Sequence, residues 1–136
     1  MSQRRIDTGK PSDARNAHSA GVVVSGTFLF TSGITPRDDD GAVVGTGDMA
    51  AQVRQVFANL SDVLAAAECG YEDVVKYTVF VTDLDAYRAA RGVLAAEFAE
   101  IMVAAPASTL VEISRLAAPA LMVEVEAIAV LKERGA

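Results

Sequence analysis

The chain has 136 residues, a formal net charge of −6 and an isoelectric point near 4.7, and 51% of its residues are hydrophobic. This length predicts one domain with a substantial core, and the hydrophobic fraction excludes a disordered chain. The acidic balance and the scattered Lys and Arg residues argue against a nucleic-acid partner, because phosphate binding depends on clustered cations.

Single copies of two reactive residue types exclude further classes of protein. Cys69 is the only cysteine and His18 the only histidine, so no disulfide framework and no His/Cys metal site is expected within one chain. The N-terminus lacks the apolar core of a secretory signal, and no apolar run approaches the roughly 20 residues of a transmembrane helix. We therefore expect a cytoplasmic protein without a membrane partner.

The first third of the chain predicts strands and loops. Residues 1–17 are polar and predict a flexible arm or an edge strand. Residues 22–33, V-V-V-S-G-T-F-L-F-T-S-G, predict a hairpin, because two strand-forming runs flank Ser25-Gly26. The Asp- and Gly-rich residues 36–47 predict a loop with a brief strand at 42–44.

The middle of the chain predicts two helices around one strand. Asp48 is suited to cap a helix that ends at Gly70, and its apolar residues recur at helical spacing. Residues 74–84 predict a strand, after which Asp85 is expected to cap a second helix over 86–102. The second helix has an apolar stripe of Tyr87, Ala90, Leu94, Phe98 and Met102.

The C-terminal residues 106–131 predict two strands joined by a short Ala/Pro turn. Alternation in the last strand places two carboxylates, Glu124 and Glu126, on one face. The opposite face is apolar: Leu121, Val123, Val125, Ala127 and Ala129. The order β-β-(β)-α-β-α-β-β predicts a single α/β (α+β) domain over 1–136, with one mixed sheet and two helices on one of its faces.

Arg91 is an unusual residue for its position, because it lies on the apolar stripe of the second helix, which is expected to face the sheet. A guanidinium buried without a partner costs on the order of several kcal/mol. Two interpretations remain open: Arg91 lies at the margin of the stripe and reaches water, or it lines a cleft and holds an anion.

The two carboxylates and the histidine also allow two interpretations each. Glu124 and Glu126 are either solvated, with Arg115 as a cross-strand partner, or one of them orients a water or takes a proton. His18 is either a polar surface residue or an assisting group beside a site. No serine has a nucleophile-elbow context, and no phosphate-binding glycine motif is present.

Three segments carry a resemblance to a known family: F-L-F-T-S-G-I-T-P, the run from Gln52 to Leu84, and V-E-I-S-R-L with V-E-V-E-A-I-A-V. Over residues 22–131 the chain resembles the RidA/YjgF family of reactive-intermediate enamine and imine deaminases. The resemblance implies a chorismate-mutase-like fold and a homotrimer around a central barrel, with clefts between subunits. It implies no metal or organic cofactor, and hydrolysis of 2-imino acids to 2-keto acids and ammonia.

Site residues follow from the same resemblance. The resemblance implies that Glu124 and the main-chain carbonyl of Leu110 position the attacking water. It also implies that the backbone N–H groups of Ser32 and Gly33 bind a substrate carboxylate. Deaminating members have P-A-R-S where residues 106–109 read P-A-S-T, so Ser108 replaces the carboxylate-binding Arg and Thr109 follows it.

Other positions depart from the family pattern as well. His18-Ser19 stands near the family's P-Y-S segment, and Ile34 replaces the Gln of S-G-Q. On the second helix, Arg91 stands where deaminating members often have Asn. We expect Arg91 to bind an anionic group, or else to pair with Glu124.

These residues predict a small-molecule hydrolase whose anionic substrate differs from the small 2-imino acids. The alternative is a non-catalytic ligand-binding or regulatory trimer with the same cleft. A ribonuclease, suggested by older family names, is disfavoured because the chain is acidic and has no basic stripe.

Overall fold

A computed structural model describes residues 3–10 and 17–133. Over these residues the chain has six strands, three α-helices and a short 3₁₀ helix at Tyr71–Asp73. In chain order the other elements are β1 (Gln3–Ile6), β2 (Gly21–Val24), β3 (Phe28–Phe30), α1 (Met49–Ala66), β4 (Val74–Val81), α2 (Leu84–Val93), α3 (Ala95–Ile101), β5 (Ala107–Glu112) and β6 (Val123–Val130).

The main sheet has four strands in the order β3-β6-β4-β5. Strand β6 pairs antiparallel with β3 and β4, whereas β5 pairs parallel with β4. Strands β1 and β2 form a separate antiparallel ribbon. The sheet is therefore mixed, as the sequence predicts, and its outer strands are β3 and β5.

The core lies between one face of this sheet and the helices. Tyr77, Val79 and Val81 alternate along β4 as buried residues, and the predicted apolar face of β6 is buried too. The ring of Phe57 packs edge-on against those of Tyr77 and Phe98, at centroid distances of 5.9 and 5.5 Å. Because strand residues alternate between faces, Glu124 and Glu126 lie on the face that the helices leave open.

Two strand pairings differ from the sequence-based prediction. The expected hairpin at Ser25-Gly26 does not form, since β2 pairs with β1 and β3 pairs with β6. The pairing of β3 with the buried strand β6 continues beyond it through Thr31 and Ile34, so a long buried ladder is preferred to a local exposed hairpin. Strands β5 and β6 are not adjacent either, because β4 lies between them.

Local predictions need smaller corrections. The predicted helix over 86–102 is broken at Leu94, two residues after Gly92, which is a poor helix former. Its N-cap is Asp83, whose side chain accepts a hydrogen bond from the Ala86 N–H, rather than Asp85. Asp48 caps α1 as predicted, but α1 ends at Ala66, before Gly70.

The loop at 36–47 contains no extended strand among its described residues. Its only recorded bridge joins Arg37 and Val43. One of the two interpretations paired Arg115 with a β6 carboxylate across neighbouring strands. Arg115 instead lies in the exposed connection between β5 and β6, and β4 separates the two strands. Among residues 3–10 and 17–133, no helix has both the length and the apolar character required to cross a membrane.

Gln52 links α1 by side-chain hydrogen bonds to the segment that leads into β6. Its side chain is fully buried; its Nε2 donates to the carbonyls of Ala120 at 2.7 Å and Gly45 at 3.3 Å. Its Oε1 accepts a hydrogen bond from the Met122 N–H at 2.8 Å. This amide therefore satisfies three backbone groups next to the strand that carries Glu124.

We expect Gln52→Leu to lower the free energy of unfolding by about 2–4 kcal/mol, because it leaves buried backbone groups without partners. Urea unfolding measures the change, and Gln3→Leu is the matched control, since Gln3 is exposed. An unchanged midpoint for Gln52→Leu would show that the three hydrogen bonds contribute nothing net.

Candidate functional site

The Glu124 carboxylate lies directly over Gly33. Glu124 is half-buried in β6, and a Cβ added to Gly33 would overlap its Oε2 and come within 2.7 Å of its Cδ. Only glycine therefore leaves room for this carboxylate position. The structure brings together two residues that the sequence places 91 positions apart and that were both predicted for the site.

Ser32 and Gly33 form a bulge beside β6. Thr31 and Ile34 donate hydrogen bonds to the carbonyls of Ala127 and Val125, so two residues stand opposite one on β6. Neither Ser32 nor Gly33 donates a backbone hydrogen bond to any other described residue, and both are exposed. Their N–H groups are therefore available to an anion or a polarised carbonyl beside Glu124.

The β5 strand offers an open edge at the other side of the sheet. Ile113 donates to the Val81 carbonyl, so alternation turns the backbone groups of Ser108 and Leu110 away from β4. The predicted carbonyl of Leu110 therefore faces the open edge, where the Leu110 residue is 40% exposed. Thr109 lies on the helix-free face and accepts a hydrogen bond from Lys76 Nζ at 2.6 Å.

The His18 segment is fastened next to the start of β5. The Ser19 N–H donates to the Pro106 carbonyl at 3.1 Å, and its hydroxyl donates to the Ala105 carbonyl at 2.6 Å. Arg5 Nε also donates to the Ala104 carbonyl. A cavity of about 470 Å³ lies beside these contacts, and its described lining residues are Arg5, Ile6, Asp7, Ala17, His18, Ser19, Met102 and Ala105.

Arg91 stacks on Phe98 and is half-buried. Its guanidinium carbon lies 4.3 Å from the centroid of the Phe98 ring, close enough for a cation–π interaction. No hydrogen-bond acceptor or carboxylate among the described residues pairs with it. Burial raises the pKa of the neighbouring Tyr87 to about 12, an effect that the positive charge of Arg91 partly opposes.

A cavity of about 290 Å³ adjoins the stacked guanidinium. Its wall shares two residues with the cavity next to His18. The lining residues are Ala17, Arg91, Ala95, Phe98, Ala99 and Met102. Among the described residues of this wall, Arg91 is the one that carries a charge, which suits an anion.

The predicted site residues fall into two groups within one chain. Glu124, Ser32 and Gly33 lie together at β6, whereas Ser108, His18 and Arg91 lie at the β5 end and on the helix side. Arg91 and Glu124 are on opposite sides of the sheet, so the alternative in which they pair is excluded within a single chain. Within one chain, these two groups of residues lie apart.

Two supporting residues were not predicted. Phe98 appears in the sequence only as part of an apolar stripe, although its position seven residues after Arg91 places both on one face of a continuous helix. No sequence pattern indicates a role for Lys76, because its contact with Thr109 depends on the parallel pairing of β4 with β5.

Comparison with known sequences gives consistent matches across the chain. Residues 8–131 match the family model described as Endoribonuclease L-PSP. A RutC family protein of Synechocystis, slr0709, is 35% identical over 132 residues, which cover 96% of this chain and 98% of that protein. A 2-iminobutanoate/2-iminopropanoate deaminase of Salmonella typhimurium is 37% identical over 105 residues, which cover 77% of this chain and 80% of that enzyme.

Solved structures are similar as well. YyfB of Yersinia pestis, a Rid family protein of unknown function, gives a TM-score of 0.83 at 31% identity and covers 96% of this chain and 100% of its own. RidA of an Antarctic Psychrobacter gives 0.66 at 28% identity, covering 84% of this chain and 88% of its own.

Proposed function

The chain belongs to the RidA/YjgF family, which includes imine deaminases, and we propose that it is a hydrolase acting on an imine, enamine or related C–N bond. The observation that carries this proposal is the Glu124 carboxylate held over Gly33, beside two open backbone N–H groups. A carboxylate next to hydrogen-bond donors suits the activation of water against a polarised C=N bond.

The reaction follows from these groups. Water adds to the imine carbon, and Glu124 takes the proton that the water loses. Glu124 passes this proton to the nitrogen, which completes the carbinolamine. The carbinolamine hydroxyl then loses its proton to the amine, through Glu124, as the C–N bond breaks, which leaves ammonia and a carbonyl product. The Leu110 carbonyl is proposed to orient the water, and the N–H groups of Ser32 and Gly33 to bind a carboxylate near the reacting carbon.

We propose that the complete cleft forms between copies of the chain in a homotrimer. Three observations support association: β5 has an open edge, the sheet face opposite the helices carries half-buried apolar residues, and Phe30 on β3 is 70% exposed. The helix-free face includes Phe80 and Ile128. Association brings Glu124 of one copy to the β5 edge of the next.

The substrate is proposed to differ from the small 2-imino acids. Ser108 cannot form the bidentate ion pair that a guanidinium makes with a carboxylate. The deaminase relative of Salmonella nevertheless matches over 77% of this chain, which supports the same chemistry on a different anion. Arg91 and His18 are proposed as residues that line the substrate pocket, with Thr109 on the adjacent face.

A second candidate is a ligand-binding trimer without turnover, which the replacement at Ser108 favours. Both candidates predict that carboxylate ligands raise the melting temperature, but only the hydrolase raises ammonia release above the rate in buffer alone. RNA cleavage, the activity in the description of the family model, is disfavoured by the net charge of −6.

We expect Ser108→Arg to increase ammonia release from 2-iminopropanoate by about tenfold or more, because one charge-assisted contact contributes about 1.5–3 kcal/mol. The assay follows ammonia and pyruvate from imine generated in situ. Ser114→Arg, in the exposed connection after β5, is the control for added charge. No gain in Ser108→Arg would show that this position does not face the substrate carboxylate.

A further inference from the structure

Arg91 is a half-buried cation without a counter-ion among the described residues. A bound anion would supply the missing counter-charge. Its guanidinium carbon lies over the buried Phe98 ring, 4.3 Å from the ring centroid. Within the part of the chain that the structure describes, no carboxylate lines the adjoining 290 Å³ cavity. A fixed guanidinium with unused donors in an apolar pocket suits a carboxylate, which it can bind through two parallel hydrogen bonds.

The pocket leaves room for a molecule longer than a three-carbon imino acid. Three of its lining residues are alanines, Ala17, Ala95 and Ala99, whose small side chains leave space in the pocket. The pocket also adjoins the cavity of about 470 Å³ next to His18. The second cavity has both Arg5 and Asp7 in its wall, so an anion is favoured at the Arg91 end. Together the cavities reach the size range of small-molecule sites.

A second anion anchor lies at the catalytic end. The N–H groups of Ser32 and Gly33 are open next to Glu124, on the opposite side of the sheet from Arg91. In the proposed cleft these donors come from one copy and Arg91 from the next. Two separate anchors, one beside the reacting carbon and one at the helix, are suited to a substrate with two carboxylates.

We propose that the substrate is an imino or enamino dicarboxylate, whose distal carboxylate binds Arg91. This rests on the proposed function, since it assigns the substrate class of the same cleft. The carboxylate adjacent to the C–N bond is held by Ser32 and Gly33, and the carbon chain lies along the alanines and Met102. Arg91 then selects the substrate by length and charge without touching the reacting bond.

Binding of stable analogues tests the proposal without turnover. Glutarate and pentanoate have equal chain length, but only glutarate has a second carboxylate. By calorimetry, glutarate should bind the wild type at least tenfold more tightly than pentanoate. Arg91→Gln should remove this preference, and Arg91→Lys should retain part of it.

Arg88→Gln is the matched control, because Arg88 is an exposed arginine on the same helix. It should keep the full preference for glutarate. Equal binding of both acids by the wild type, or an undiminished preference in Arg91→Gln, would overturn the proposal. A preference lost equally in Arg88→Gln would also overturn it, because general electrostatics would then explain the effect.

Measurements of turnover distinguish the proposed dicarboxylate preference from the proposed hydrolase activity. Ammonia release is compared for 2-iminoglutarate and 2-iminopentanoate, each generated in situ by an amino-acid oxidase. Equal turnover of both imines would leave the hydrolase standing and refute the dicarboxylate preference. An Arg91-dependent preference for glutarate, with ammonia release from both imines at the rate of buffer alone, would support the dicarboxylate site and refute the hydrolase.

Discussion

Glu124→Gln is expected to lower kcat for imine hydrolysis by about 10²–10⁴-fold while leaving carboxylate binding unchanged. The amide has nearly the shape of the carboxylate, so the close packing over Gly33 is kept. It cannot accept the proton that the attacking water must lose. Ammonia release and glutarate binding, measured on the same preparation, separate the loss of chemistry from a loss of ligand binding.

Glu126→Gln is the control for this substitution. Glu126 lies two residues further along β6, on the same face, and is exposed. Its replacement removes the same charge from the same strand but should change kcat less than twofold. Comparable losses in both variants would mean that the face needs negative charge in general rather than a base at Glu124.

Gly33→Ala is expected to reduce turnover by about 10²-fold, because the new methyl group would occupy the position of the Glu124 carboxylate. The clash is with the end of a flexible side chain, so the carboxylate moves and the fold is retained. A displacement of about 1 Å in a reacting group is enough for a loss of this size. Steady-state kinetics measures the loss, and thermal unfolding checks the fold.

Gly92→Ala is the matched glycine control. A Cβ at Gly92 meets no atom within 4 Å, and the residue lies in a helix, where alanine is preferred. Turnover should be unchanged and stability equal or slightly higher. Full activity in Gly33→Ala would show that the observed position of the Glu124 carboxylate is not the one used in catalysis.

The sequence was sufficient for features that depend on local pattern. Alternation along residues 121–130 correctly separates the buried face of β6 from Glu124 and Glu126. The helix cap at Asp48 and the apolar spacing of α1 are confirmed as well. These predictions succeed because burial and capping depend on residues close together in the chain.

Features that depend on distant pairing were missed. The local turn signal at Ser25-Gly26 gave no information on β6, with which β3 pairs about 100 residues later. Likewise, the order β6-β4-β5 could not be derived from the adjacency of β5 and β6 in the chain. Non-local pairings such as these decide which strand edge of the sheet remains open.

The candidate site shows the same limit. Glu124 was predicted from alternation and resemblance, yet its contact with Gly33 depends on the bulge at Ser32-Gly33, which has no clear sequence signature. Arg91 was recognised as unusual because of its position on an apolar stripe. Its contact with Phe98 joins α2 to α3 across the break at Leu94, which the apolar stripe alone did not indicate.

The rate of ammonia release from an imine generated in situ tests the central claim most directly. We would compare wild type, Glu124→Gln and buffer alone, each with 2-iminopropanoate and 2-iminoglutarate. The wild type is predicted to exceed the buffer rate on at least the dicarboxylate, with Glu124→Gln close to buffer. A wild type that matches buffer on both imines, or a fully active Glu124→Gln, would contradict a Glu124-dependent imine hydrolase.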